Sequence, residues 1–203
     1  MKTLILIDIQ NDFCPGGSLA VPRGDEIIPI VNELQAGFDL VIATQDWHPS
    51  DHVSFASNHR GKTPFDTMDL AGMEQVLWPD HCVQGSEGAA FHPSLNTLRV
   101  EAVFRKGTDR QIDSYSGFFD NGGRRRTGLT GYLRDKGATQ LYFCGLAADV
   151  CVYYSIKDAI KEGFPAVLIE DATRALDEKE FIRVKEEISQ KGVQIFSSEV
   201  VEP

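Results

Sequence analysis

The sequence predicts an α/β fold: a doubly wound, mainly parallel six-stranded sheet with helices on both faces. Three observations carry this. Short β-rich runs alternate with helical patterns along the chain. Several of those runs are apolar almost throughout, as strands buried on both faces require. Polar residues with chemical potential recur just beyond the carboxyl ends of the runs, where open α/β sheets bind ligands.

The expected strands are Thr3–Ile7, Leu40–Ala43, Ala102–Arg105, Gln140–Cys144, Ala166–Ile169 and Val193–Phe196. Between them lie four helical patterns. Ile27, Ile30, Val31 and Leu34 recur at i, i+3, i+4 and i+7, and Gly37 supplies a stop. Leu129, Tyr132 and Leu133 follow Thr127, a capping residue type, and precede Gly137. Val152, Ile156, Ala159 and Ile160 make one face of a helix ending near Gly163, and Phe181, Val184 and Ile188 do so before Gly192. From Trp47 to about Val100 neither period is strong, and all 5 histidines fall there. A long irregular segment inside a compact domain often serves function. The chain therefore reads as a single domain over residues 1–203, with an irregular insertion at about 47–100.

Composition narrows the partners. A 203-residue chain with 42% hydrophobic and 25% charged residues can bury a core and is not disordered. Its formal net charge of -10 disfavours nucleic acid and anionic membrane, which need basic patches. Arg124–Arg126 is the one compact basic run and reads as a solvated turn. The apolar run Leu4–Ile7 is broken by Asp8, too short for a signal core or a membrane span. The expectation is a cytoplasmic protein with free thiols at Cys14, Cys82, Cys144 and Cys151. A small-molecule substrate is the expected partner, and homo-oligomerisation stays open.

The candidate catalytic groups follow the strands. Asp8 follows the first, Asp46 and His48 the second, Lys106 the third and Asp171 the fifth; Cys151 opens the helix after the fourth. Each alone has an ordinary reading as cap, turn or surface residue. Their convergence on one sheet edge favours a site. A helix N-terminus and the Lys106 cation would both favour thiolate at Cys151, below a free-thiol pKa of roughly 8.5. Asp8 would carry the proton. The run Gly145–Cys151 would be a tight turn offering N–H donors to an oxyanion. Asp46-x-His48 with His81 suits a borderline divalent ion such as Zn²⁺, Fe²⁺ or Mn²⁺.

These residues also carry a family pattern. Ile7-Asp8-Ile9-Gln10-Asn11-Asp12-Phe13 with Gly16-Gly17-Ser18-Leu19 resembles the opening of the nicotinamidases (pyrazinamidases), in the isochorismatase-like cysteine hydrolase superfamily. Asp46-Trp47-His48-Pro49, Trp78-Pro79-Asp80-His81-Cys82, Phe104-Arg105-Lys106-Gly107, Tyr115-Ser116-Gly117-Phe118 and Gly145–Val152 resemble its later blocks in order. The resemblance implies an isochorismatase-like, Rossmann-like fold and hydrolysis of nicotinamide to nicotinate and ammonia in NAD salvage, with pyrazinamide as a second substrate. It implies Asp8, Lys106 and Cys151 as the catalytic triad. It implies Asp46, His48 and His81 as ligands of one divalent metal ion, zinc first, with iron or manganese as alternatives. Phe13, Trp78 and Tyr115 would wall the substrate, with Ala147 beside them, and the Leu146–Ala147 peptide would be cis. Ala148 departs from the threonine often found there, and His52 is left outside the metal's inner ligands. Three rivals remain: a related isochorismatase-like or carbamoyl-amide hydrolase, a noncatalytic binding module, and a structural zinc protein using Cys14 and Cys82.

Overall fold

The computed structural model describes residues 1–70 and 72–201. Its main sheet contains β1 (Lys2–Ile7), β2 (Leu40–Asp46), β5 (Val100–Lys106), β6 (Gln140–Leu146), β7 (Ala166–Arg174) and β8 (Gln194–Phe196). Two short strands, β3 (Thr67–Leu70) and β4 (Met73–Val76), form a separate antiparallel hairpin. The six main strands run in the order β5-β2-β1-β6-β7-β8. Every neighbouring pair is parallel. Strand order therefore reverses between β1 and β6, and that switch point is where a doubly wound sheet opens a crevice.

Alternation along β1 feeds two cores. Leu4 and Leu6 point into one, with Ile27, Val31 and Leu34 of α1 (Ile27–Leu34). Ile5 and Ile7 point into the other, with α2 (Leu129–Lys136), α3 (Tyr153–Lys161) and α4 (Glu178–Gln190). Among the described residues the first face has only α1 for a helix, and the irregular segment completes it: Trp78, Cys82, Ala89 and Leu95 belong to that core. The segment lacks a strong period because its order comes from single bridges, such as His48 to Val83 and Phe55 to Trp78, and from the small hairpin.

Four strands, β2, β5, β6 and β7, run further than the sequence suggests, and three of them move candidate residues. Asp46 and Lys106 are the last residues of β2 and β5 rather than residues after them. Asp171 is a correction. It lies inside β7, at a register irregularity, and its carboxylate accepts hydrogen bonds from Ser198 N and Oγ. It belongs to the β7–β8 edge and takes no part in the cluster. Arg126 pairs with Glu162 at the surface, as a solvated basic turn would. All four cysteines are free. No helix among the described residues is long and apolar enough to cross a membrane.

Candidate active site

The carboxyl ends of β1, β2, β5 and β6 bring Asp8, Asp46, Lys106 and Cys151 together. Asp8 follows β1 in a left-handed backbone conformation, φ 45°. Its Oδ1 accepts from Thr44 Oγ1 at 2.6 Å, which leaves Oδ2 for Lys106 Nζ at 2.8 Å. Lys106 Nζ also lies 3.0 Å from Asp46 Oδ1, 3.1 Å from Ser114 O and 3.5 Å from Cys151 Sγ. The two carboxylate contacts are ion pairs off the hydrogen-bond direction, since Asp8 Oδ2 and Asp46 Oδ1 keep no hydrogen-bond partner among the described residues. Lys106 is no surface amine. It is 2% exposed, and although burial opposes its charge, Asp46 and Asp8 hold its pKa well above the usual lysine value.

Burial acts differently on the other two. It raises the Asp8 carboxyl, with Lys106 pulling the other way. It also pushes the Cys151 thiol well up, against the lowering effect of Lys106. Burial and the Lys106 cation thus act in opposite senses on the Cys151 thiol, beside a carboxylate whose hold on a proton is raised. The raising cause is desolvation: Cys151 is buried, and a single cation shared among three anionic groups does not offset that.

Cys151 lies in a wide π-helical turn, Ala148–Val152, that leads from β6 into α3. Gly145 makes the approach possible: its φ is +114°, and a Cβ there would meet Ile7 O at 2.1 Å. The Leu146–Ala147 peptide is cis, as the resemblance implied. The N–H groups of Val150 and Val152 both donate to Ala147 O at 3.1 Å, so these two donors of the turn are already committed. Asp149 ties the turn down, accepting from Leu176 N and Asp177 N at 2.9 Å.

Beside this cluster stand Asp46, His48 and His81, whose donor atoms all lie within 4.8 Å of one another. His48 Nδ1 meets Gly107 O at 3.0 Å and His81 Nδ1 meets Pro79 O at 2.8 Å. A carbonyl only accepts, so each ring donates from Nδ1 and turns Nε2 toward Asp46 Oδ2, at 3.1 and 3.4 Å. His48 Nε2 is buried with no hydrogen-bond partner among the described residues. Two ring nitrogens facing one carboxylate oxygen at that range leave a place a cation could take, and backbone-fixed imidazoles are how proteins prepare metal ligands. The donor set fits a divalent ion. Gly107 serves the arrangement, because a Cβ there would fall 2.2 Å from His48 Cε1.

A cleft joins the two groups. Phe13, Trp78, Tyr115 and Ala147 line it together with Cys151, Asp46 and His81. Trp78 stands edge-on to Tyr115 at 6.0 Å, and Phe13 packs on His81 at 5.5 Å. Asp8, Lys106 and His48 are behind this surface. Cys14 and Cys82 belong to no metal-capable group among the described residues.

Sequence reasoning missed several contributors. Leu19, Asp113, Val150 and Leu176 also line the cleft. Gln10 is fully buried and grips the backbone of Asp46, donating to its carbonyl at 2.8 Å and accepting from its N–H at 2.7 Å. Its polar side chain beside apolar Ile9 was the available signal. Thr44 offered a similar one inside the apolar run of β2.

The isochorismatase domain family matches residues 2–200. An Acinetobacter baylyi nicotinamidase is 47% identical, over 96% of this chain and 92% of its own. Among solved structures, an Acinetobacter baumanii nicotinamidase/pyrazinamidase superposes with a TM-score of 0.95 at 45% identity, covering 97% of this chain and 96% of that one. PnC1 from L. infantum, in complex with nicotinate, gives 0.87 at 40%, covering 98% and 93%. A Pyrococcus horikoshii pyrazinamidase in complex with zinc gives 0.80 at 36%, covering 97% and 98%. With matches of this extent, the chain belongs to the isochorismatase domain family and, within it, to the nicotinamidases.

Proposed function

We propose that this chain hydrolyses nicotinamide to nicotinate and ammonia, with Cys151 as nucleophile, Asp8 as proton carrier and Lys106 as their fixed cation. The observation that carries the reading is Lys106 Nζ, within 3.5 Å of Asp8, Asp46 and Cys151 at the back of one aromatic-walled cleft.

Cys151 Sγ attacks the carboxamide carbon and its proton passes to Asp8, while the carbonyl pair moves onto oxygen. The raised affinity of Asp8 for a proton suits it to this task. The C–N bond then breaks, and the nitrogen takes the proton from Asp8 and leaves as ammonia. Water attacks the thioester, giving its proton to Asp8; the C–S bond breaks, and the thiol is restored as nicotinate departs. Throughout, Lys106 offsets the negative charge that moves between sulfur and carboxylate. Phe13, Trp78 and Tyr115 hold the flat ring, and Ala147 leaves room for the carboxamide.

Asp46, His48 and His81 would hold the divalent ion, zinc first and iron or manganese next, which as a Lewis acid would anchor the ring nitrogen. We read residues 1–203 as one domain acting in the cytoplasm, feeding NAD salvage, with pyrazinamide as a further substrate. Ammonia release from nicotinamide, measured with the metal content of the same sample, tests the proposal. Preference for vinyl-ether or carbamoyl substrates would replace it with the related-hydrolase reading. No turnover of any of these would leave a binding module, and unfolding on metal removal would favour structural zinc.

A further inference from the structure

Asp113 is a buried carboxylate that the scheme above leaves without a task. It lies between β5 and α2, is 3% exposed, and lines the same cleft as Cys151, Asp46 and His81. Its protein donors are both neutral: Ser114 N to Oδ1 at 2.8 Å and Gln75 Nε2 to Oδ2 at 3.1 Å. A carboxylate offers about four lone-pair sites, so two donors leave it under-satisfied. A buried anion without a cation is costly. No ion pair reaches Asp113 among the described residues, and Lys106 is already held by Asp8 and Asp46.

Its surroundings indicate which cation it answers. A carboxylate oxygen of Asp113 lies within 4.8 Å of a ring nitrogen of both His48 and His52. Both ring nitrogens of His52 have partners of their own: Nδ1 meets Ser54 Oγ at 2.7 Å, and Nε2 meets Ile112 O at 3.3 Å. That second bond instead fixes the backbone next to Asp113. His48, by contrast, has a buried Nε2 without a hydrogen-bond partner among the described residues, facing Asp46.

We infer that Asp113 is an outer carboxylate of the metal centre, accepting a hydrogen bond from water carried by an ion on Asp46, His48 and His81. The inference rests on the metal reading proposed above. It gives Asp113 its missing donor, places a second negative charge near the ion, and makes His52 a positioning residue for the loop that bears Asp113. Outer partners of this kind typically change metal affinity 10–100-fold.

The test is calorimetric titration of metal-stripped protein with ZnCl₂, together with the thermal unfolding midpoint of the stripped protein. Asp113→Asn and Asp113→Ala are each expected to weaken Zn²⁺ binding about tenfold or more. The stripped midpoint should hold or rise, because an unpaired buried anion has been removed. Unchanged affinity in both variants, while Asp46→Ala loses the ion, would overturn the inference and leave the metal reading intact. A lower stripped midpoint in both variants would overturn it too, assigning Asp113 to loop structure. Failure of the unaltered protein to bind Zn²⁺ would remove both readings.

Discussion

Asp46 and Lys106 are register partners at the carboxyl ends of β2 and β5, and Asp46 Oδ1 lies 3.0 Å from Lys106 Nζ. The other carboxylate oxygen, Oδ2, faces the two imidazoles. One side chain thus joins the metal-capable set to the thiol cluster. In the sequence the two sets share no residue and read as separate; pairing of neighbouring strand ends is what couples them.

Lys106→Met tests that coupling. The variant leaves Asp8 and Asp46 buried without their cation, which costs about 3–5 kcal/mol. Cys151 loses the cation that favours its thiolate, so alkylation by iodoacetamide should slow at neutral pH and recover as pH rises. Metal affinity should change in the same variant. An alkylation profile unchanged from pH 6 to about 9, near the free-thiol range, would deny Lys106 its role.

Cys151→Ala should abolish ammonia release while the protein folds and binds metal. Cys144 and Cys14 are the controls. Burial pushes Cys144 up and Cys14 to about 11, and neither lines the cleft. Cys14→Ala and Cys144→Ala should keep most turnover, each at a modest stability cost for a lost buried sulfur. Steady-state ammonia assays on the three variants decide it.

Gly107→Ala should damage metal binding without touching a ligand. The added Cβ would fall 2.2 Å from His48 Cε1 and 2.5 Å from Nδ1, and φ there is +64°. The ring must move away from its carbonyl partner, and metal affinity should drop roughly 10–100-fold, as for other lost supports. Equilibrium dialysis with Zn²⁺ measures this. Normal affinity would mean that the Gly107–His48 contact is not what orients the ring.

The strands and helices were legible because their apolar periods are strong, and five of the six main strands were placed within a few residues of their ends. Asp46 and Lys106 were legible as types but not as a pair, since parallel register is set by distant segments. Asp171 misled because β7 continues past its apolar run, through an irregularity that no period announces. For Cys151 the helix and the cation are visible in the sequence, but the burial that opposes them is not. Gln10 and Asp113 were missed because isolated polar residues acquire meaning only from what surrounds them.

Acid stability should depend on Glu187, which does not line the cleft. A hydrogen bond from Lys191, then one from Tyr153, lowers its pKa to about 2. A carboxylate with a depressed folded pKa contributes stability above its unfolded value, and that contribution fades as pH falls from about 4.5 toward about 2. Glu187 is near the surface, so screening keeps the effect small. Glu187→Gln should flatten the stability curve in that window and leave it parallel above it. Urea midpoints measured between pH 5 and about 2.5 would show this; an unaltered slope would place the acid sensitivity elsewhere.

The last prediction separates the work of metal and thiol. In a metal hydrolase the ion activates the attacking water, so removing it removes the nucleophile. Here the proposed nucleophile is Cys151, whose Sγ lies 3.5 Å from Lys106 Nζ, while His48 is fixed by Gly107 O on the far side of Asp46. Losing the ion should remove anchoring and orientation, which can be worth several kcal/mol of barrier. The sulfur would remain. His48→Ala should therefore lose metal and nicotinamide turnover yet still react at Cys151 with iodoacetamide. The link through Asp46 and Lys106 predicts a modest shift in that reaction's pH profile rather than its loss. Benzamide, which lacks the ring nitrogen, should be a poor substrate for the unaltered protein. Benzamide cleaved as well as nicotinamide would show that the ion does not anchor the ring. A metal-free His48→Ala protein that cleaves nicotinamide normally would reduce Asp46, His48 and His81 to a structural cluster.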